Sequence, residues 1–138
     1  DMPWAQDRVG IERIKGGYVW QALLKSNAKL ALGSDFPVEW VNPMLGFYAA
    51  ITRQDAEGNP AQGWFPDQKL SRMEALRGFT LDAAYAAFQE NVLGSLEVGK
   101  WADFVILDRD IMTVSPKEVL KAKVLETWIA GKRVYAAK

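Results

Sequence analysis

The chain has 138 residues, 49% of them hydrophobic, with seventeen basic and seventeen acidic side chains and neither histidine nor cysteine. That length and apolar content suit one globular domain with a real core, and the charge balance argues against nucleic acid, an anionic membrane or a polyanion as partner. Zero cysteine excludes a disulfide framework and leans toward a reducing, cytoplasmic compartment without fixing one; no apolar run nears a membrane span and no charged-then-apolar leader is recognisable.

In chain order, residues 1–10 read as a polar opening with Pro3 and a turn, after which Ile11, Ile14, Tyr18 and Ala22 recur at three- and four-residue steps. That spacing predicts a helix from about Ile11 to Ser26. Gly16 and Gly17 fall in its middle and each cost roughly 1 kcal/mol relative to alanine, so close packing has to compensate. Asn27 is a stop signal, and Ala28 to Leu32 is too short for a helix but suits a strand covered on both faces, which points to the α/β class. Asp35-Phe36-Pro37 opens a loop, and Asn42-Pro43 supplies the N-cap and first-turn proline of a helix reaching about Gln54.

Residues 55–67 carry Gly58, Pro60, Gly63 and Pro66 and form a long irregular excursion. Ser71-Arg72-Met73-Glu74 matches a capping box, followed by two short helices split near Thr80. From Gly94 the texture turns to glycine punctuation and β-rich runs at Ala102 to Leu107, Val124 to Ile129 and Arg133 to Tyr135. Ser115-Pro116 starts a short helix through Leu120, and Ala130-Gly131 suits a hairpin turn.

The chemistry concentrates in Leu30-Ala31-Leu32-Gly33-Ser34-Asp35-Phe36-Pro37-Val38-Glu39, where an apolar run feeds a Gly-Ser turn that presents one aspartate at a strand end. In parallel α/β barrels catalytic groups sit there. A divalent metal lowers the pKa of bound water to roughly 7, and a nearby carboxylate can accept the proton released. The chain holds none of the nitrogen or sulfur ligands that a transition metal usually needs, so this aspartate reads as one part of a larger site. The plain alternative is an aspartate capping its own turn.

Two blocks together resemble the metal-dependent amidohydrolase superfamily. Leu30 to Glu39 is similar to its last barrel strand and catalytic loop. The stretch Gly94-Ser95-Leu96-Glu97-Val98-Gly99-Lys100-Trp101-Ala102-Asp103-Phe104-Val105-Ile106-Leu107-Asp108 resembles the segment by which those enzymes leave the barrel for a small β-sandwich. Phe79-Thr80 and Ala83-Ala84 lie between them, and the Trp64-Phe65-Pro66 loop with Gly46 to Gln54 looks most like the long, YtcJ-like branch. The resemblance implies an α/β architecture: residues 1–93 as the last helices and final strand of a (β/α)8 TIM barrel, residues 94–138 as a β-sandwich segment. It also implies that these residues are the last quarter or so of the enzyme, without its paired histidines and bridging lysine or glutamate.

By the same resemblance Asp35 is the catalytic aspartate that contacts the metal or its water and moves the proton to the leaving group. Ser34 and Phe36 set its geometry, and Glu39, Trp40 and Trp64 line the substrate entrance. The expected activity is hydrolysis of a non-peptide C–N bond, an amide or cyclic amide, by metal-activated water. Zinc would be the metal of the full-length enzyme, and none would bind tightly to this chain alone, which is expected to be inactive.

Other readings rest on the same residues. Asp35 and Glu39 would form a glycosidase pair if their carboxyl groups stood roughly 5 to 9.5 Å apart across a sugar cleft. Among the six tryptophans, Trp20 and Trp128 fall in regular elements and read as core, whereas Trp40 and Trp64 lie in loops. Gly94 and Gly99 are turn glycines rather than a phosphate loop. A non-catalytic alternative is a scaffold whose uncovered apolar strands pair with another copy, giving a homo-oligomer.

Overall fold

Asn42 and Pro43 start the helix around which the rest packs. The computed structural model describes residues 2–138. In it the Asn42 side chain accepts the Met44 N–H at 3.0 Å, and the helix α3, Pro43–Thr52, buries Phe47, Tyr48, Ala50 and Thr52. A capped N-terminus with proline in the first turn removes donors that would otherwise be unsatisfied. Termination comes two residues before the predicted Gln54, because Arg53 turns left-handed at φ 59°.

N-terminal to α3, the structure departs from the sequence reading twice. Residues 2–10 are not a polar loop but most of a kinked helix, α1, Met2–Ile14, which bends where Gly10 takes φ 78°; Asp1 lies outside the described residues. The single helix predicted from Ile11 to Ser26 is broken between Ile14 and α2, Trp20–Lys25. Gly16 and Gly17 end the first helix through bonds to Arg13 and Ile14 carbonyls, and Tyr18 reverses the chain at φ 53°. Two consecutive glycines prevailed over the apolar period because no packed neighbour offsets their entropy.

Ala28 to Leu32 is extended but pairs with no strand among the described residues. Its one ladder-like bond runs from the Leu32 N–H to the Gly78 carbonyl at 3.0 Å. Leu30, Leu32 and Ser34 are half-buried while Ala31, Gly33 and Asp35 are exposed, so one face is covered rather than the two expected. A buried parallel strand needs neighbours on both edges to satisfy its backbone, and none is present here.

The capping box forms as predicted. Ser71 Oγ accepts the Glu74 N–H and Glu74 Oε2 accepts the Ser71 N–H, opening α4, Arg72–Phe79. Thr80 separates it from α5, Leu81–Ala86, and Arg77 pairs with the buried Asp82 at 3.1 Å across that break. Gly78 is needed for close approach, since a Cβ there would lie 2.8 Å from Leu32 Cδ1 and 2.9 Å from the Leu30 carbonyl oxygen.

The C-terminal unit is a three-stranded antiparallel sheet in the order β1, Phe104–Leu107, β2, Val124–Ile129, and β3, Lys132–Ala136. Ala130 and Gly131, at φ 50° and 74°, make the tight turn that a right-twisted hairpin favours. Phe104 stacks on its register partner Trp128 at 5.6 Å. The short helix α6, Pro116–Val119, buries Val119 against α3. One core joins the halves: Phe47, Tyr48 and Ala50 from α3, Leu70, Ala75 from α4, Ile111 and Val119. These elements make a mixed α/β unit with one small sheet.

Candidate functional site

A cleft of about 440 Å³ opens beside α3, lined by residues from α2, the 33–42 loop and the 53–64 loop. Its lining includes the aromatic rings of Tyr18, Trp20, Trp40 and Trp64 together with Gly33, Ser34 and Glu39. Aromatic clefts with a few polar groups are the usual form of small-molecule sites.

Four of the residues singled out from sequence meet in this cleft: Ser34, Glu39, Trp40 and Trp64. Asp35 and Phe36 do not line it. Asp35 sits one residue outside, exposed, in a left-handed conformation at φ 57°, and its carboxylate makes no hydrogen bond or ion pair with the described residues. Ser34 Oγ accepts the Phe36 N–H at 3.3 Å, so the serine fixes the turn that aims Asp35 outward. Phe36 and Trp40 are 63% and 77% exposed, leaving this loop uncovered on its outer side. Trp128 packs in the sheet as expected, and Trp20 packs against the core while also lining the cleft.

Sequence reasoning passed over Arg53, which organises the cleft floor. It is 3% exposed. Its Nε donates to the Trp64 carbonyl at 2.8 Å and Nη1 to the Tyr18 carbonyl at 2.9 Å, while the Trp64 N–H returns a bond to the Arg53 carbonyl at 2.8 Å. Trp20 and Trp64 lie 4.4 and 5.0 Å from its guanidinium carbon, an arrangement worth about 0.5–2 kcal/mol per ring. Burial pulls its pKa below the ordinary arginine value, yet an arginine stays cationic at neutral pH. The sequence signal was the stranded cation at the end of the apolar run Leu45 to Ile51.

Around it the 55–63 loop is held by its own polar groups. Asp55 Oδ1 accepts the Gly58 and Asn59 N–H groups, both at 2.8 Å, and the Asn59 bond chiefly holds its carboxyl below the usual range. Gln54 Nε2 donates to the Pro60 and Ala61 carbonyls, and Gln54 Oε1 accepts from Tyr48 Oη. Lys117 Nζ donates to the Ala56 and Glu57 carbonyls, tying this loop to α6.

A resident metal does not fit these residues alone. No three acidic side chains gather as a ligand group among the described residues, and Asp35 offers one carboxylate where zinc takes at least three protein ligands.

Residues 1–135 match the amidohydrolase family model, and the chain belongs to that family. It is similar to Protein LONG AFTER FAR-RED 3 of Arabidopsis thaliana, 43% identical over 93% of this chain and 22% of that one. It is also similar to the putative amidohydrolase YtcJ of Bacillus subtilis, 30% identical over 98% of this chain and 26% of the other. Among solved structures, an uncharacterized metal-dependent hydrolase from Pyrococcus horikoshii OT3 superposes with a TM-score of 0.70 at 33% identity, over 82% of this chain and 23% of its own. The chain thus spans about a quarter of the length of the curated relatives it matches.

Proposed function

We propose that these residues are the C-terminal portion of a metal-dependent amidohydrolase that cleaves a non-peptide C–N bond, an amide or cyclic amide. Residues 1–93 contribute the last helices and final strand of its barrel, and residues 94–138 a segment of its β-sandwich. Asp35 is the proton-transfer carboxylate. What carries this reading is the placement of Asp35: exposed, its carboxylate without a partner among the described residues, at the end of an extended run and directly after Ser34, which lines the cleft. In that role it takes a proton from the hydrolytic water as the C–O bond forms and gives it to nitrogen as the C–N bond breaks. Glu39, Trp40 and Trp64 contact the substrate, and Ser34 and Phe36 hold the loop.

A divalent metal, zinc by the family resemblance, would draw on Asp35 and on ligands outside these 138 residues. The isolated chain is therefore inactive. The test places residues 1–138 in the matched quarter of the Bacillus subtilis relative and assays released amine from a panel of N-acyl amines with zinc added. The fusion should turn over at least one, and Asp35→Asn should lower kcat about 100-fold or more. Amide hydrolysis by the isolated chain, or an Asp35→Asn fusion with an unchanged rate, would sink the proposal.

A further inference from the structure

Arg53 is a buried cation with no counter-ion among the described residues. Neither of the acidic groups that line the same cleft pairs with it: the Asp55 carboxylate is turned into its own loop by two N–H bonds, and Glu39 is exposed. A guanidinium carries five N–H donors in a fixed plane. Two indoles lie within 5.0 Å of its guanidinium carbon, Nε is bound to Trp64, and one Nη1 hydrogen is bound to Tyr18. What remains is the terminal edge, the second Nη1 hydrogen and both on Nη2, and Nη2 is buried without any partner. Buried charges in folded proteins are paired, and that edge matches the two oxygens of a carboxylate.

We propose that Arg53 is the anion-recognising group of the cleft, binding a carboxylate on the substrate through its Nη1–Nη2 edge. Resting on the reading above that the cleft serves an amide-cleaving enzyme, this assigns the substrate class: amides that bear a carboxylate, such as N-acyl amino acids. The Trp20 and Trp64 rings hold the guanidinium in place before ligand arrives, so little side-chain entropy is lost on binding.

The test uses the chain itself and no turnover. N-acetylglycine and its neutral counterpart N-acetylglycinamide are titrated at constant ionic strength while the indole N–H resonances of Trp20 and Trp64 are followed. The acid should give saturable shifts, and the amide should bind at least tenfold more weakly. Arg53→Gln should abolish the response, and Arg53→Lys, which keeps charge but loses the fork, should weaken it. Equal responses to acid and amide, no saturable shift with the acid, or an unchanged response in folded Arg53→Gln would each overturn the assignment. Should Arg53→Gln fail to fold, the acid–amide comparison on the unaltered chain decides. Because neither metal nor Asp35 enters the measurement, its failure would leave the proposed hydrolysis standing.

Discussion

The run from Ala28 to Leu32 and the strands β1 to β3 are all extended, yet the run's only backbone hydrogen bond to a distant segment goes to Gly78, while the strands are laced by two antiparallel ladders. Apolar alternation selects extension in both, but only a neighbouring strand turns extension into a sheet. The chemistry-bearing Asp35 lies on the segment with few bonds of its own. Segments of that kind open locally at low cost, so the site's geometry depends on what packs against it.

The severest challenge to this contrast is Tyr48→Ala, which empties the core that joins the two regions. A loss of about 3–5 kcal/mol is expected in urea unfolding, as for other large aromatic truncations. If the sheet keeps its amide protection while residues 28–41 lose theirs, the regions are separate cooperative units; simultaneous loss makes them one. Next comes Gly78→Ala, whose Cβ would collide with Leu32 and the Leu30 carbonyl. It should cost about 1–3 kcal/mol and raise hydrogen exchange at Leu32, leaving β1 to β3 unchanged. Removal of the capping hydroxyl in Ser71→Ala should cost about 1 kcal/mol, again without touching the sheet.

The smallest effect is confined to the sheet side. The Arg109 side-chain bond, with the Lys123 N–H, lowers the Asp108 carboxyl from 3.8 to about 2. A depressed carboxylate stabilises the fold above its ordinary value, and that contribution fades as pH falls from 3.8 toward 2. Acid titration followed by the Lys123 amide resonance should show this step, and Asp108→Asn should remove it while leaving residues 28–41 indifferent.

Local signals were legible where a few neighbouring residues determine the structure. Asn42-Pro43, the Ser71–Glu74 box, the Thr80 break and the Ala130-Gly131 turn each act over four residues or fewer, and each formed. The helix through Gly16-Gly17 does not form because the backbone freedom of paired glycines outweighs the apolar period. The strand at Ala28 to Leu32 formed only halfway, since pairing is a property of partners and not of the run itself. Within the cleft, Ser34, Glu39, Trp40 and Trp64 could be singled out as loop residues. For Arg53 the sequence offers only a cation ending an apolar run, because its importance arises from Tyr18, Trp20 and Trp64 converging on it from separate segments.

The left-handed backbone at Asp35 narrows which side chains position 35 tolerates. Glycine, asparagine and aspartate enter that region readily, and most others incur a steric penalty of about 1–2 kcal/mol. Alanine there would disturb main chain and charge at once, and glycine would loosen the turn. Asparagine alone swaps an anion for a neutral amide of the same outline, making it the replacement that isolates proton transfer from architecture.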